Sequence, residues 1–169
     1  MPWYAVHTRS RHEYKVKTSL VQKGINAFLP EIEVPSKRKD RKKKINIPLF
    51  SGYLFFETSF LDNETKLAVL KTFGVVRILG KKDTFEPLPV PENKIAAIRR
   101  LVETKAQIFE VRSPKVGEPA RIIDGPFAGI EGIVVSRNAQ KELFVVTIEI
   151  LQRCVAVKLE GLQVARLQA

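Results

Sequence analysis

The sequence predicts an α+β protein of two domains, an open α/β sandwich followed by a small β-barrel. Charge is one indication, because residues 1–107 hold 21 Lys and Arg against 11 Asp and Glu, whereas residues 108–169 hold 8 against 7. Pattern is the other, because strand-like and helix-like segments alternate in the first part and only short β-branched runs follow in the second. Helical periodicity stops near Gln107–Pro114. We therefore predict domains at residues 1–106 and 114–169, joined by a linker at 107–113.

The N-terminal part begins with a predicted strand at Trp3–Thr8. Ser10, with Glu13 three residues later, is typical of a capping box that opens a helix, and Gly24 is a suitable end for it. The elements predicted next are a strand at Asn26–Val34, a strand at Leu49–Thr58, a helix capped by Asp62 or Asn63 and ended by Gly74, a strand at Val75–Leu79, and a helix opened by Pro91 with Ile95, Ile98, Leu101 and Val102 along one side. This order is that of a split-βαβ, ferredoxin-like sandwich.

The C-terminal part consists of four short runs rich in β-branched residues, which are RIID, GIVV, LFVVTIEI and CVAVKL. Turn-like segments separate them. Strands this closely spaced in about 55 residues favour a small barrel, because closure removes exposed sheet edges. Gly129 and Gly132 fit turns between the strands. No Lys-Ser/Thr pair follows them, so the segment is not a phosphate-binding P-loop.

The whole chain has 169 residues and a net charge of +11, which is typical of proteins that bind a polyanion. Its single cysteine, Cys154, excludes a disulfide framework and a cysteine-based zinc site, and fits a reducing compartment. The N-terminus has no apolar signal-peptide region, and no apolar run approaches the roughly 18 residues that span a bilayer. We expect a cytoplasmic protein with no membrane association.

A dense positive charge lies between two predicted strands. Seven of the eight residues from Lys37 to Lys44 are basic, so this segment must lie on a solvated loop or hairpin tip. It either serves only as a surface loop or contacts phosphates, in which case binding weakens steeply with salt. The basic residues are Lys37, Arg38, Lys39, Arg41, Lys42, Lys43 and Lys44.

The segment IPLFSGYLFFE follows the basic run. In a strand, Tyr53 and Phe55 share one face, and apolar residues also lie on the other. Because three short helices barely cover one face of the sheet, we expect the other face to expose rings that bind a protein partner. A central strand covered on both faces is the alternative. Phe50 has the wrong parity to join these rings unless Ser51-Gly52 forms a bulge.

Catalytic residues are sparse. His7 and His12 have no serine or cysteine nucleophile motif beside them. Glu31 and Glu33 share one face of a strand, a spacing that would suit a carboxylate pair or a metal, but exposed strand carboxylates are common. We expect no enzyme activity, no cofactor and no bound metal, with a nuclease-like enzyme built on Glu31 and Glu33 as the alternative.

Three segments, in order and spacing, resemble the NusG family of transcription elongation factors: WYAVHTRSRHE, PLFSGYLFFE and VGEPARIIDGPFAGIEGIVV, the last similar to a KOW motif. The resemblance covers nearly the whole chain. It implies an N-terminal NGN domain and a C-terminal KOW domain, the latter an SH3-like five-stranded barrel. It also implies a factor that binds RNA polymerase and modulates pausing, termination and antitermination.

The resemblance further implies contacts with the clamp helices of the largest polymerase subunit and the gate loop of the second-largest, which together hold the clamp closed. It implies that non-template DNA, and nascent RNA, lie alongside. The positions that match the polymerase-binding surface are Phe50, Tyr53, Phe55, His7, Ile95, Thr65 and Lys66, of which Thr65 and Lys66 match the gate-loop region. The positions that match the DNA-facing surface are Arg9, Arg11 and Lys15. The resemblance also implies that the basic run, which neighbours the ring-bearing segment, faces the DNA strands.

In the family, the KOW loop region binds a ribosomal protein or the termination factor Rho. The corresponding residues here are Phe127, Ile130, Ile150 and Leu151, and Ile130 stands where many relatives have an aromatic. Ser51 replaces a proline usual in the family. The ending LQRCVAVKLEG is more similar to specialised paralogues that serve particular long operons, so we favour such a monomeric antiterminator over the housekeeping factor. A KOW-type RNA-binding structural protein of the ribosome is the alternative function.

Overall fold

The computed structural model describes residues 1–36, 43–104, 108–112, 117–124, 127–138, 141–148, 151, 153–160 and 164–167. The chain divides into two compact units, Met1–Glu92 and Asn93–Ala169. The elements, in chain order, are β1 (Trp3–Thr8), α1 (Glu13–Gln22), β2 (Asn26–Phe28), β3 (Glu31–Pro35), β4 (Lys44–Pro48), β5 (Tyr53–Glu57), α2 (Asn63–Leu70), β6 (Val75–Ile78), β7 (Pro89–Val90), α3 (Glu92–Glu103), β8 (Ile108–Arg112), β9 (Glu118–Ile122), β10 (Glu131–Asn138), β11 (Lys141–Ile148), β12 (Arg153–Glu160) and β13 (Val164–Arg166).

The first unit is built on an antiparallel sheet of order β2-β5-β1-β6, in which β7 also pairs with β1. Because successive strand residues point to opposite faces, the β1–β5 register assigns each side chain to one of two faces. One face carries the pairs Tyr4–Phe56 and Val6–Leu54, and the other carries Ala5–Phe55 and His7–Tyr53. Strands β3 and β4 form a separate hairpin.

The core of this unit lies on the first of these faces, which packs with α1 and α2. Val16 and Leu20 are four residues apart on α1, so both point at the sheet, and Val69 of α2 joins them. Each such side chain contributes about 1.5–3 kcal/mol when fully buried. The buried cluster consists of Val6, Val16, Leu20, Leu29, Leu54, Phe56, Val69 and Ile78.

Helix starts agree with the sequence at one place and differ at another. At α2 the predicted Asp62 cap is confirmed, because its Oδ1 accepts a 2.7 Å hydrogen bond from the Thr65 N–H. The predicted capping box at Ser10 and Glu13 is wrong. Helix α1 begins at Glu13 after His12, which makes no side-chain cap bond. The Glu13 carboxylate accepts a hydrogen bond from the distant Gly52 N–H instead.

Two predicted strands are shorter than expected. The strand at Asn26–Val34 is split between β2 and β3 by Leu29 and Pro30, since proline cannot donate to a strand ladder. The strand expected from Leu49 begins only at Tyr53, because the residues before it form a turn.

The second unit contains α3 and an antiparallel sheet of order β13-β9-β10-β11-β12-β8. The four predicted runs overlap β9, β10, β11 and β12. Ile95, Ile98 and Leu101 of the predicted α3 stripe are buried. Among the described residues the sheet has six strands rather than five, and its pairings form a row from β13 to β8. The SH3-like barrel therefore stays a prediction.

The predicted linker at 107–113 contains β8, which pairs with β12 from Ile108 opposite Val157 to Arg112 opposite Arg153. The apolar content of IFEVR favours a strand wherever a partner edge is available. The domain bounds and the linker stay a prediction. The boundary between the compact units also precedes most of α3 rather than following it. In the part of the chain that the structure describes, no helix is long and apolar enough to cross a membrane.

Candidate functional site

The second face of the N-terminal sheet carries a group of aromatic side chains, which we name the ring cluster. Phe50 and Phe55 meet edge to face with ring centroids 6.3 Å apart, and Phe28 stacks at 6.3 Å from Phe55. Each such pair adds about 0.5–1.5 kcal/mol beyond the burial of its area. The members of the ring cluster are Trp3, His7, Phe28, Phe50, Tyr53 and Phe55.

The expectation that Phe50 and Phe55 are exposed is wrong. Both side chains are 0% exposed. The rings of this face pack on one another, and Phe50 and Phe55 present no surface to a partner. Tyr53 and His7 are half-buried, and among the predicted ring-bearing residues they are the two that solvent reaches.

A turn before β5 brings Phe50 into the cluster. The Tyr53 N–H donates to the Phe50 carbonyl oxygen at 3.1 Å. Gly52 has a φ of +82°, a left-handed conformation that favours glycine. Its carbonyl accepts a 2.8 Å hydrogen bond from the Thr8 N–H at the end of β1. The predicted bulge at Ser51-Gly52 is therefore a turn, with the same effect of bringing Phe50 against Phe55.

The other side of this turn is held by a buried carboxylate. Oε1 of Glu13 accepts a hydrogen bond from the Gly52 N–H at 2.7 Å, and the Glu13 side chain is 3% exposed. The first residue of α1 is thereby tied to the turn that carries Phe50. Sequence patterns assigned Glu13 to a local capping box, and no local signal indicates its true partner.

His7 and Tyr53 face each other across β1 and β5. Their rings stack with centroids 5.0 Å apart and planes inclined by 24°. Partial burial lowers the pKa of His7 below its ordinary 6.5, and the positive charge of Arg77 lowers it further. The His7 ring is therefore mostly neutral near pH 7, and it stacks on the Tyr53 ring as an uncharged aromatic group.

The remaining predicted polymerase-binding residues are placed elsewhere. Thr65 and Lys66 lie in the first turn of α2, and both are half-buried. Hydrogen bonds from both backbone N–H groups to Asp62 hold this turn in place. Ile95 is on α3 in the second compact unit, where it is buried. The structure thus brings the sheet residues together, and Thr65 and Lys66 form a separate group.

A basic surface, which we define as Arg9, Arg11 and Lys15, lies at the start of α1, and all three residues are exposed. The Arg9 guanidinium carbon lies 5.8 Å from the ring centroid of Phe73, within cation–π range. The sequence analysis did not identify Phe73 as a site residue.

The β3–β4 hairpin brackets the basic run. The Ser36 N–H donates to the Lys43 carbonyl oxygen at 2.8 Å, so the hairpin continues up to the segment 37–42. Lys43 and Lys44 are exposed, and Lys44 forms a 3.0 Å ion pair with Glu33. The predicted phosphate-contacting residues Lys37, Arg38, Lys39, Arg41 and Lys42 lie outside the described residues.

Helix α1 supports this hairpin. The Tyr14 hydroxyl donates to the Asn46 carbonyl oxygen at 3.2 Å, and Lys17 pairs with Glu31 at 3.8 Å. Desolvation, followed by the neighbouring Glu31 carboxylate, raises the pKa of Tyr14 to about 12. The two carboxylates of the alternative dyad, Glu31 and Glu33, are each engaged with a lysine. In the described ranges, no group of three or more His, Cys, Asp or Glu side chains could hold a metal ion.

The predicted KOW partner-binding residues lie in the interior of the second unit. Phe127, Ile130 and Leu151 are all buried, and Ile150 lies outside the described residues. The turn that carries two of them is closed by a 3.2 Å hydrogen bond from the Ile130 N–H to the Phe127 carbonyl oxygen. The exposed apolar residue near this turn is Ile123, at 58% exposure, which the sequence analysis did not select.

Comparison with known proteins decides the family. The family model described as "Transcription termination factor nusG" matches residues 1–99. The chain belongs to the NusG family. The "Transcription termination/antitermination protein NusG" of Thermus thermophilus is 30% identical, covering 97% of each chain, and that of Pseudomonas aeruginosa is 31% identical, also covering 97% of each.

A solved structure of Thermotoga maritima NusG has a TM-score of 0.58 at 25% identity and covers 99% of this chain and 97% of that one. The family consists of non-enzymatic transcription factors, which confirms the expectation that the chain is not an enzyme. The pair Glu31 and Glu33 is therefore not an active site. The coverage shows that the likeness extends over both compact units.

Proposed function

We propose that this chain is a transcription termination/antitermination factor that binds RNA polymerase through the exposed edge of the ring cluster. The observation that carries the proposal is the half-buried stack of Tyr53 on His7, above the fully buried Phe50 and Phe55. A rigid aromatic pair on an apolar base loses little conformational entropy on binding, and aromatic anchors of this kind dominate interface energies.

The remaining polymerase contacts extend this proposal. The clamp helices of the largest subunit contact Tyr53 and His7, and the gate loop of the second-largest contacts Thr65 and Lys66. Binding both sides holds the clamp closed and thereby alters pausing, because it stabilises one polymerase conformation over the other. The protein acts as a cytoplasmic monomer.

The basic surface faces the non-template DNA strand. Arg9, Arg11 and Lys15 are exposed cations at one end of α1, as phosphate contacts require. The C-terminal domain, which we propose to be a KOW barrel, recruits a ribosomal protein or Rho through the rim of the Phe127–Ile130 turn. Since residues 108–169 carry 8 Lys and Arg against 7 Asp and Glu, a ribosomal RNA-binding role for this half is disfavoured.

The proposal is tested with a matched pair of tyrosines. Tyr53 and Tyr4 are both half-buried, and each stacks on one ring, but they lie on opposite faces of the sheet. Immobilised wild-type protein is expected to retain core RNA polymerase, and Tyr53→Ala is expected to retain about tenfold less, as for an interface hot spot of 1–2 kcal/mol. Tyr4→Ala, once shown to be folded, should retain the wild-type amount.

Phe50→Ala is unsuitable for this test. Removing a fully buried phenylalanine costs about 3–5 kcal/mol of stability, so a loss of binding would report unfolding. The proposal fails if wild-type protein retains no polymerase, or if folded Tyr53→Ala and Tyr4→Ala proteins retain it equally. A transcription assay on a template with a known pause then measures whether the retained factor shortens or lengthens the pause.

A further inference from the structure

Phe73 is a large aromatic side chain that the fold leaves in solvent. It follows α2, and 69% of it is exposed. A single exposed ring needs no explanation by itself, and Phe60 and Phe85 are similarly exposed. Phe73 is singled out by the contacts that position it. It is not part of the ring cluster, and nothing in the proposed polymerase contacts uses it.

The ring is held in place by the residues that open α1. Arg9 lies over it at 5.8 Å, and the His12 ring meets it edge-on at 5.5 Å. The adjacent Gly74 has a φ of +98°, and a Cβ there would lie 2.9 Å from the His12 Cβ, so only glycine allows this approach. The Gly74 carbonyl also accepts a 2.8 Å hydrogen bond from the Arg9 N–H. Phe73 is therefore exposed but positioned.

The surroundings of the ring are cationic. Arg9 lies over the ring. Arg11 precedes His12 in the chain, Lys15 lies three residues after His12, and Lys71 lies two residues before Phe73; all of these cations are exposed. An apolar protein partner would have to desolvate these charges. A flat ring among cations suits a nucleobase with its flanking phosphates, because single-stranded nucleic acid combines a stacking face with negative charge.

We propose that Phe73 is a stacking site for one unpaired base of a single strand, whose flanking phosphates are held by Arg9, Arg11 and Lys15. This proposal rests on the nucleic-acid-facing part of the proposed function and adds to it a base contact. Base stacking accepts any of the bases, so the site grips the strand with little sequence preference.

The test measures binding of a fluorescein-labelled oligothymidine of roughly 12 nucleotides to the full chain by fluorescence anisotropy. Phe73→Leu keeps an apolar side chain but removes the aromatic face, and it should weaken binding about 5- to 100-fold. Phe73→Trp should bind at least as tightly as wild type. The control is Phe60→Leu, which alters another exposed phenylalanine, at 74% exposure, and should leave the affinity unchanged.

Salt dependence separates stacking from charge. The slope of log affinity against log salt should be the same for wild type and Phe73→Leu, because the phosphate contacts persist. Arg11→Ala should reduce the slope by about 0.7, the value for one phosphate contact on a single strand. Stacking is observed directly as quenching of the added indole in Phe73→Trp by the oligonucleotide, since Trp3, the chain's own tryptophan, is buried.

The outcomes are distinguishable. Equal affinities of wild type and Phe73→Leu, or an unquenched Phe73→Trp, overturn the stacking site. A matching oligouridine that binds more tightly assigns the site to RNA, and one that binds more weakly assigns it to DNA. Retention of RNA polymerase, measured separately, should be unaffected by Phe73→Leu. If wild-type protein retains no polymerase but Phe73 still stacks on the oligonucleotide, the proposed function is rejected and this inference stands.

Discussion

The hydrogen bond between Glu13 and Gly52 gives a quantitative test of how the site is held. Glu13→Leu removes the acceptor and leaves the Gly52 N–H without a partner in a buried position. A hydrogen bond to a charged group contributes about 1.5–3 kcal/mol, and an unsatisfied buried donor costs about 1–3 kcal/mol. Part of this loss is offset by the added apolar burial of leucine, so we expect a net loss of about 1–3 kcal/mol.

Glu13→Gln is the conservative variant, because its amide oxygen can still accept from the Gly52 N–H. It loses only the charge, and we expect it to cost about half as much. The control is Glu64→Leu, since Glu64 also lies in the first turn of a helix but is exposed. Losing its favourable interaction with the helix dipole costs no more than about 0.3–1 kcal/mol.

The assay is urea unfolding followed by tryptophan fluorescence. Trp3 is the chain's single tryptophan and belongs to the ring cluster, so its signal reports the N-terminal unit. The midpoint should fall in the order wild type, Glu13→Gln, Glu13→Leu, at an unchanged slope. A wild-type midpoint for Glu13→Leu, or equal losses of stability for Glu13→Leu and Glu64→Leu, would refute the stabilising role of the Glu13–Gly52 hydrogen bond.

Two further predictions concern the same region. Gly52→Ala and Gly24→Ala should each lower the free energy of unfolding by about 1–2 kcal/mol, because both glycines have positive φ. Steric clash adds little, since an added Cβ would meet only ordinary contact at Gly52 and nothing within 4 Å at Gly24. Only Gly52→Ala should also reduce polymerase retention, and equal retention by both variants would contradict the role of the turn. Because the pKa of His7 is lowered, the unfolded chain binds its proton more tightly. The contribution of His7 to stability is therefore present above pH 6.5 and is lost as pH falls through the lower folded-state pKa. His7→Phe should make the unfolding midpoint less sensitive to pH just below 6.5. An identical pH profile for wild type and variant would show that the ring is not desolvated.

Local signals in the sequence predicted the elements whose determinants are close in the chain. Asp62 caps α2 through a residue three positions on, and the strand Trp3–Thr8 occupies the predicted range. The Glu13–Gly52 bond joins residues 39 positions apart, so no spacing rule could indicate it. The same holds for Phe73, which meets Arg9 and His12 only after β6 pairs with β1.

The exposure of the rings was mispredicted for a different reason. Strand parity correctly placed Tyr53 and Phe55 on one face, but parity does not say whether that face is filled. Phe28, from a strand that the sequence merged with the next, supplies packing for Phe55. The resemblance to NusG proteins pointed to this segment, and the structure decides which of its rings a partner can reach, namely the half-buried Tyr53 rather than Phe50 or Phe55.

The end of β1 connects the turn that carries the proposed polymerase contact to the turn that carries the proposed nucleic-acid contact. Thr8 and Arg9 are adjacent, and their N–H groups donate to the carbonyls of Gly52 and Gly74, each at 2.8 Å. The first bond holds the turn between Phe50 and Tyr53, and the second holds the turn that carries Phe73. Thr8 is 2% exposed, so this stretch of backbone is fixed by burial as well as by hydrogen bonds. Two turns that are hydrogen-bonded to consecutive residues, the last residue of β1 and the one after it, cannot shift independently. With a polymerase seated on Tyr53, a nucleic-acid strand held at Phe73 would therefore have a set position relative to that polymerase. The entropic cost of orienting the strand is then met in folding rather than in binding.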